Sequence, residues 1–114
     1  MAEAPYTKAV VMGDVLYISG QLGRDADGNT VPGGFRPQLQ QILENLDSIL
    51  REHGVGRERV AKTNVYLTDA ADWPSLNEAY VEFFSEPRPA RSTVVVAALL
   101  GDAVVEIDAI AHLT

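Results

Sequence analysis

The sequence predicts one mixed α and β domain, ordered β-β-α-β-α-β-β, with its helices packed on a sheet face. Three observations predict it. Apolar residues recur at steps of three and four in two segments, the period of an amphipathic helix. Short β-branched runs flank and separate those segments and are bounded by Gly, Pro and Asp turn residues. A chain of 114 residues is one domain with a single core, taken here as residues 1–114.

Lys8 to Met12 is a short apolar run closed by Gly13-Asp14, a pair that favours a hairpin turn. The return strand is Val15 to Gln21, with small polar residues at its exit. Asp25 to Gly34 holds three glycines, Pro32 and Asn29, which is loop chemistry without the spacing of a phosphate-binding loop. Phe35 to His53 is the first helix, its stripe formed by Leu39, Ile42, Leu43, Leu46, Ile49 and Leu50. Pro37 suits the first turn and Gly54 the C-terminal cap, while Arg51 and His53 complement the negative end of the helix dipole.

Val60 to Asp69 alternates as a strand with one dry face, Ala61, Thr63, Val65 and Leu67 forming one side. Asp72 can cap a second helix with Pro74 in its first turn. Leu76, Ala79, Tyr80, Phe83 and Phe84 form its buried stripe, and Glu86-Pro87-Arg88-Pro89 ends it. Asn77 sits at the border of that stripe, where an amide ties a helix to neighbouring backbone more often than it faces a ligand. Strand four, through Val94 to Leu99, is apolar on both faces, and a helix layer covers only one of them. The second face predicts a homo-oligomer.

Composition narrows the function. With no cysteine there are no disulfides, thiolate metal sites or cysteine nucleophile, and a cytoplasmic location is the expectation. Two isolated histidines, His53 and His112, give no metal-ligand spacing. Met1 to Tyr6 shows no signal-peptide pattern, and no segment approaches the about 18 consecutive apolar residues of a membrane span. A net charge of −7, with nine scattered Lys and Arg, argues against nucleic-acid and anionic-membrane partners. A diffusible small molecule or another protein is the better partner.

Two ionic side chains then stand out, Arg91 at the start of strand four and Glu106 within the apolar strand Val104 to Ala111. A charge among buried side chains is costly unless it is paired or has a role. The planar fork of Arg91 suits a carboxylate, in a contact of about 1.5–3 kcal/mol. The competing reading pairs Arg91 with a structural acid, Glu106 or Asp108, and is at least as strong on residue types alone. Glu106 and Asp108 share one strand face, where a desolvated carboxylate with a raised pKa suits proton transfer with water. In a tight hairpin of strands four and five, Arg91 and Glu106 would lie some ~20 Å apart. Either those strands are not paired or two subunits bring the groups together.

The residues also resemble a known family. Pro5-Tyr6, Tyr17-Ile18-Ser19-Gly20-Gln21, Lys62 to Asp69, Asn77 with Tyr80, Phe83-Phe84, Pro89-Ala90-Arg91-Ser92 and Val105-Glu106-Ile107 are similar to the Rid, or YjgF, family of enamine/imine deaminases. The resemblance implies an α+β, chorismate-mutase-like fold, a homotrimer, and ligand clefts between subunits. It implies that Arg91 clamps the carboxylate of a 2-imino acid, such as that formed from 2-aminoacrylate, and that Glu106 positions or activates water. Tyr6, Ser19, Gly20, Asn77 and the backbone around Thr93 would complete the cleft. The products would be a 2-keto acid and ammonia, with a functional link to pyridoxal-phosphate-dependent dehydratases. An imine carbon is already electrophilic, so no covalent nucleophile, metal or cofactor is required. The chain departs from the family at Thr93, where Cys is frequent, and at Ala4, Gly23 and Gln40.

Two other classes of function stand beside this one. A non-catalytic regulatory trimer could use Arg91 to sense a keto or amino acid, although sensing gives Glu106 no task. RNA cleavage, attributed to some relatives, calls for a basic and aromatic stripe that this acidic chain lacks.

Overall fold

The computed structural model describes residues 4–114. Five strands, β1 (Ala9–Met12), β2 (Val15–Leu22), β3 (Val60–Leu67), β4 (Ala90–Val95) and β5 (Val105–His112), form one sheet. Two helices, α1 (Phe35–Glu52) and α2 (Trp73–Phe83), complete the fold. The strand order is β1-β2-β5-β3-β4, with β3 and β4 parallel and the other neighbours antiparallel. A parallel pair needs a crossover, and α2 supplies it between β3 and β4.

One face of this sheet is dry. Leu16, Ile18, Val65, Leu67, Val105 and Ile107 meet the α1 stripe and Leu76 and Tyr80 of α2 in a single core. Burying one such Leu or Ile side chain contributes about 1.5–3 kcal/mol. The opposite face, carrying Asn64, Tyr66, Glu106 and Asp108, is left half-open.

The helix signals act as the periodicity predicts. Pro37 lies in the first turn of α1, and Gly54 follows its end at φ 76°, a conformation glycine adopts without strain. His53 closes the helix through Nδ1, 2.8 Å from the carbonyl of Ile49. At the start of α2 the capping differs from expectation. Asp72 makes no side-chain cap, and the Asp69 carboxylate instead accepts from the Ala71 N–H in a preceding 3-10 turn. That extra turn takes up the capping carboxylate before the α-helix begins.

Two strand expectations are corrected. Strand four ends at Val95, not Leu99, because β3, its one neighbour among the described residues, ends at Leu67 opposite Val95. The Val96 N–H makes the last bond, 2.8 Å to the Leu67 carbonyl, and the chain then leaves the sheet. In β3 it is Val60, not Ala61, that is buried, because a register shift between Val60 and Lys62 reverses the alternation there.

Candidate functional site

Strands four and five are not neighbours. β3 lies between them, with Thr63 paired to Arg91 and Tyr66 paired to Glu106. Side chains alternate along a strand, so positions three apart on β3 face opposite ways. Arg91 therefore projects to the helix-covered face and Glu106 to the open one. The fold sorts the expected site residues into two groups.

Arg91 and Asn77 form the first group, with Thr93 two residues further along β4. The guanidinium lies 4.8 Å over the Tyr80 ring, and its Nη2 donates to the Asn77 side-chain oxygen at 2.7 Å. Among the described residues no carboxylate comes within ion-pair distance of Arg91. The internal ion pair to Glu106 or Asp108 is thus not formed. Among the described residues the Asn77 side chain bonds no backbone group; its oxygen accepts from the arginine.

By periodicity Tyr80 reads as part of the buried stripe, and the family resemblance groups it with Asn77. Its position one helical turn after Asn77, on the same α2 face, is the signal that could have marked it as a platform for Arg91. Its hydroxyl hydrogen-bonds the fully buried Thr63 side chain. Burial pushes the Tyr80 phenol up, while Thr63 and the Arg91 charge pull the other way.

Thr93 follows on the same face, beside a small hollow of about 200 Å³ lined by Leu67, Ala70, Trp73, Thr93 and Val95. Its hydroxyl oxygen is buried and has no hydrogen-bond partner among the described residues. An unpaired buried hydroxyl is unusual and marks a place where a bound group could supply the partner.

The second group gathers where β2 departs from regular pairing. Between Ile18, opposite Ala109, and Gln21, opposite Ile107, β2 carries one extra residue. Such bulges re-aim side chains beside functional sites. The bulge brings Gly20 against Glu106, so closely that any side chain there would collide with the carboxylate. The Ser19 hydroxyl donates to the Thr7 carbonyl at 2.6 Å and so fastens the segment that carries Tyr6. Tyr6, Ser19 and Gly20 line a cleft of about 600 Å³ that extends to Gln41 and Asn45 of α1. Tyr6 is 67% exposed, available to another molecule rather than used within the chain.

Glu106 is half-buried, and its carboxyl is held above the usual range, first by burial and second by the charge of Asp108. Asp108 is well supplied with donors: Asn64 Nδ2 lies 2.9 Å from one oxygen and the Tyr66 hydroxyl 3.2 Å from the other. Among the described residues no group of three His, Cys, Asp or Glu side chains could hold a metal ion, and no helix is long and apolar enough to cross a membrane.

A mixed five-stranded sheet with two helices makes this a small α+β domain. The family model described as Endoribonuclease L-PSP matches residues 1–113. A RutC family protein of Pyrococcus horikoshii is 41% identical over 109 residues, covering 95% of this chain and 86% of that one. A 2-iminobutanoate/2-iminopropanoate deaminase of Bos taurus is 42% identical over 111 residues, covering 96% and 81%. The crystal structure of RidA from the Antarctic bacterium Psychrobacter sp. PAMC 21119 superposes with a TM-score of 0.91 at 44% identity, over 98% of this chain and 91% of that one. The chain belongs to this Rid (YjgF) family.

Proposed function

We propose that this protein hydrolyses 2-imino acids, such as those that arise from 2-aminoacrylate, to 2-keto acids and ammonia. The observation that carries the reading is Arg91, a guanidinium stacked on Tyr80, oriented by Asn77 and lacking a carboxylate partner. It is preorganised to accept one from a ligand. The deaminases among the relatives support the same substrate class.

In the proposed reaction, Arg91 holds the substrate carboxylate and so fixes the C=N carbon beside a water molecule. The water oxygen attacks that carbon, the π electrons of C=N move to nitrogen, and Glu106 takes the proton from water. Return of that proton to nitrogen gives a carbinolamine. Glu106 then takes the carbinolamine hydroxyl proton and passes it to nitrogen, so that the oxygen electrons form C=O as the C–N bond breaks, releasing ammonia and leaving the 2-keto acid. Neither a metal nor an organic cofactor is called for, because the imine carbon is already electrophilic.

Because Arg91 and Glu106 face opposite sides of one sheet, one ligand meets both only if a second copy contributes. We read the assembly as a homotrimer with the Arg91 group of one subunit facing the Glu106 group of the next. The edge strand β4 supports this, with Val94 48% and Val95 54% exposed and its outer backbone edge without a strand partner. A cytoplasmic setting beside pyridoxal-phosphate-dependent dehydratases, without nucleic-acid or membrane partners, completes the reading.

The test generates 2-aminoacrylate in situ with a serine dehydratase and follows pyruvate release with and without the protein. Acceleration over spontaneous hydrolysis is expected. Keto-acid binding without acceleration would replace this reading with a sensing role.

A further inference from the structure

We propose that Asp108 is a positioning residue for Glu106: a carboxylate fixed by Asn64 and Tyr66 on the same strand face, its charge bears on Glu106 and helps make that residue the one that takes the proton from water. The inference rests on the imine-hydrolysis reading above and names what tunes its base.

The two residues stand two apart on β5, hence on one face and about 6.5–7 Å apart along the strand. Their surroundings differ. Both Asp108 oxygens accept hydrogen bonds, from Asn64 and Tyr66, groups suited to holding an anion. The Glu106 carboxylate receives none among the described residues; it packs on the bare backbone of Gly20, opposite Tyr66. The two carboxylates therefore sit in unequal settings, one amid donors and one without them, and it is Glu106 that lacks a partner to hold it as an anion.

Burial is the first cause that raises the Glu106 carboxyl and the Asp108 charge the second, and few other groups on this face carry charge. From β3 come Tyr66, which the Asp108 charge keeps protonated as a donor, and Lys62, whose ammonium donates to Ser92 at 3.1 Å. β2 offers Tyr17, opposite Ile110, and the uncharged Gly20. β4 offers Ser92 and Val94, neither charged, and His112 lies at the far end of β5. Burial of Glu106 acts in the same direction as Asp108.

The experiment follows the Glu106 side-chain carboxyl carbon by NMR across a pH titration of the full-length protein, in wild type, Asp108→Asn and Asp108→Glu. Asp108→Asn is expected to lower the Glu106 titration midpoint by about one pH unit, while Asp108→Glu, which keeps the charge, restores most of it. The acid limb of kcat/KM for imine hydrolysis is expected to move down with the midpoint. In the wild type, raising salt from about 0.01 M to about 1 M shortens screening from ~30 Å to ~3 Å and is expected to lower the midpoint as well. A Glu106 midpoint that moves with neither substitution nor salt would overturn the inference, and the salt arm decides even if Asp108→Asn fails to fold. A shifted midpoint in a protein that hydrolyses no imine would instead overturn the catalytic reading and leave the charge coupling standing.

Discussion

Arg91 and Glu106 occupy opposite faces of one sheet, separated by β3, which pairs with Arg91 at Thr63 and with Glu106 at Tyr66. Each has its own support: Tyr80 and Asn77 under the arginine, Gly20 against the carboxylate. A site that uses both is assembled from two copies, and the predictions below separate what each half contributes.

Arg91→Ala is expected to abolish imine hydrolysis. Arg91→Lys keeps the charge but loses the fork and the flat stacking surface over Tyr80, and is expected to lower kcat/KM by roughly 10- to 100-fold, a charge-assisted contact of about 1.5–3 kcal/mol. Steady-state kinetics with dehydratase-generated substrate checks both. Wild-type rates in Arg91→Ala would remove the arginine from the site.

Glu106→Gln is expected to cut turnover while raising thermal stability at neutral and alkaline pH. The sign follows from the raised folded-state pKa. Between the unfolded carboxylate value and the raised folded one, the native state binds more protons, so the wild type loses stability as pH rises through that window. Gln carries no such cost, so its advantage is present above the folded pKa and vanishes below the unfolded one. The gain is modest, up to roughly 3 °C, because the group is half exposed. Melting curves at several pH values decide it.

Gly20→Ala is expected to displace the Glu106 carboxylate, since a methyl group there occupies its place. The backbone at Gly20 is not left-handed, so the effect is steric and local. A loss of at least about tenfold in kcat with little change in Tm is the expected outcome. A loss of fold, seen by circular dichroism, would mean that the bulge itself depends on glycine.

Tyr80→Phe leaves the buried Thr63 hydroxyl without its partner and is expected to cost about 1–3 kcal/mol of stability. Adding Thr63→Val removes the orphan and should recover much of that loss. Because Phe keeps the ring beneath Arg91, KM is expected to stay near wild type in both. Chemical denaturation and kinetics together separate the hydrogen bond from the platform.

If the proposed trimer forms through this edge, Val94→Glu or Val95→Lys is expected to dissociate it and to abolish activity even though Arg91 and Glu106 remain in place. Light scattering coupled to size-exclusion chromatography reads the assembly. A fully active monomer would show that the two halves do not need each other.

The element order, both helices and the turns around them were legible in the sequence because each rests on local rules. The α1 stripe, Pro37 and Gly54 act within a few residues of themselves, and so do the β-branched runs. Arg91 and Glu106 stand out as candidates for the same reason, since an ionic residue in an apolar run needs no coordinates to be noticed. Where local rules compete, the reading slipped. Asp69 took the capping role expected of Asp72, and strand four stopped with its partner rather than with its own apolar run.

By itself, then, the sequence determined which segments form elements, and it singled out the ionic residues on which the proposed chemistry rests. Only the tertiary structure decided that β3 separates strands four and five, that Tyr80 lies under Arg91, and that a bulge sets Gly20 against Glu106. The physical reason is distance along the chain. Periodicity and capping are set by neighbours in sequence, whereas strand order and facing are set by which distant segments share a core, and no local pattern encodes that choice.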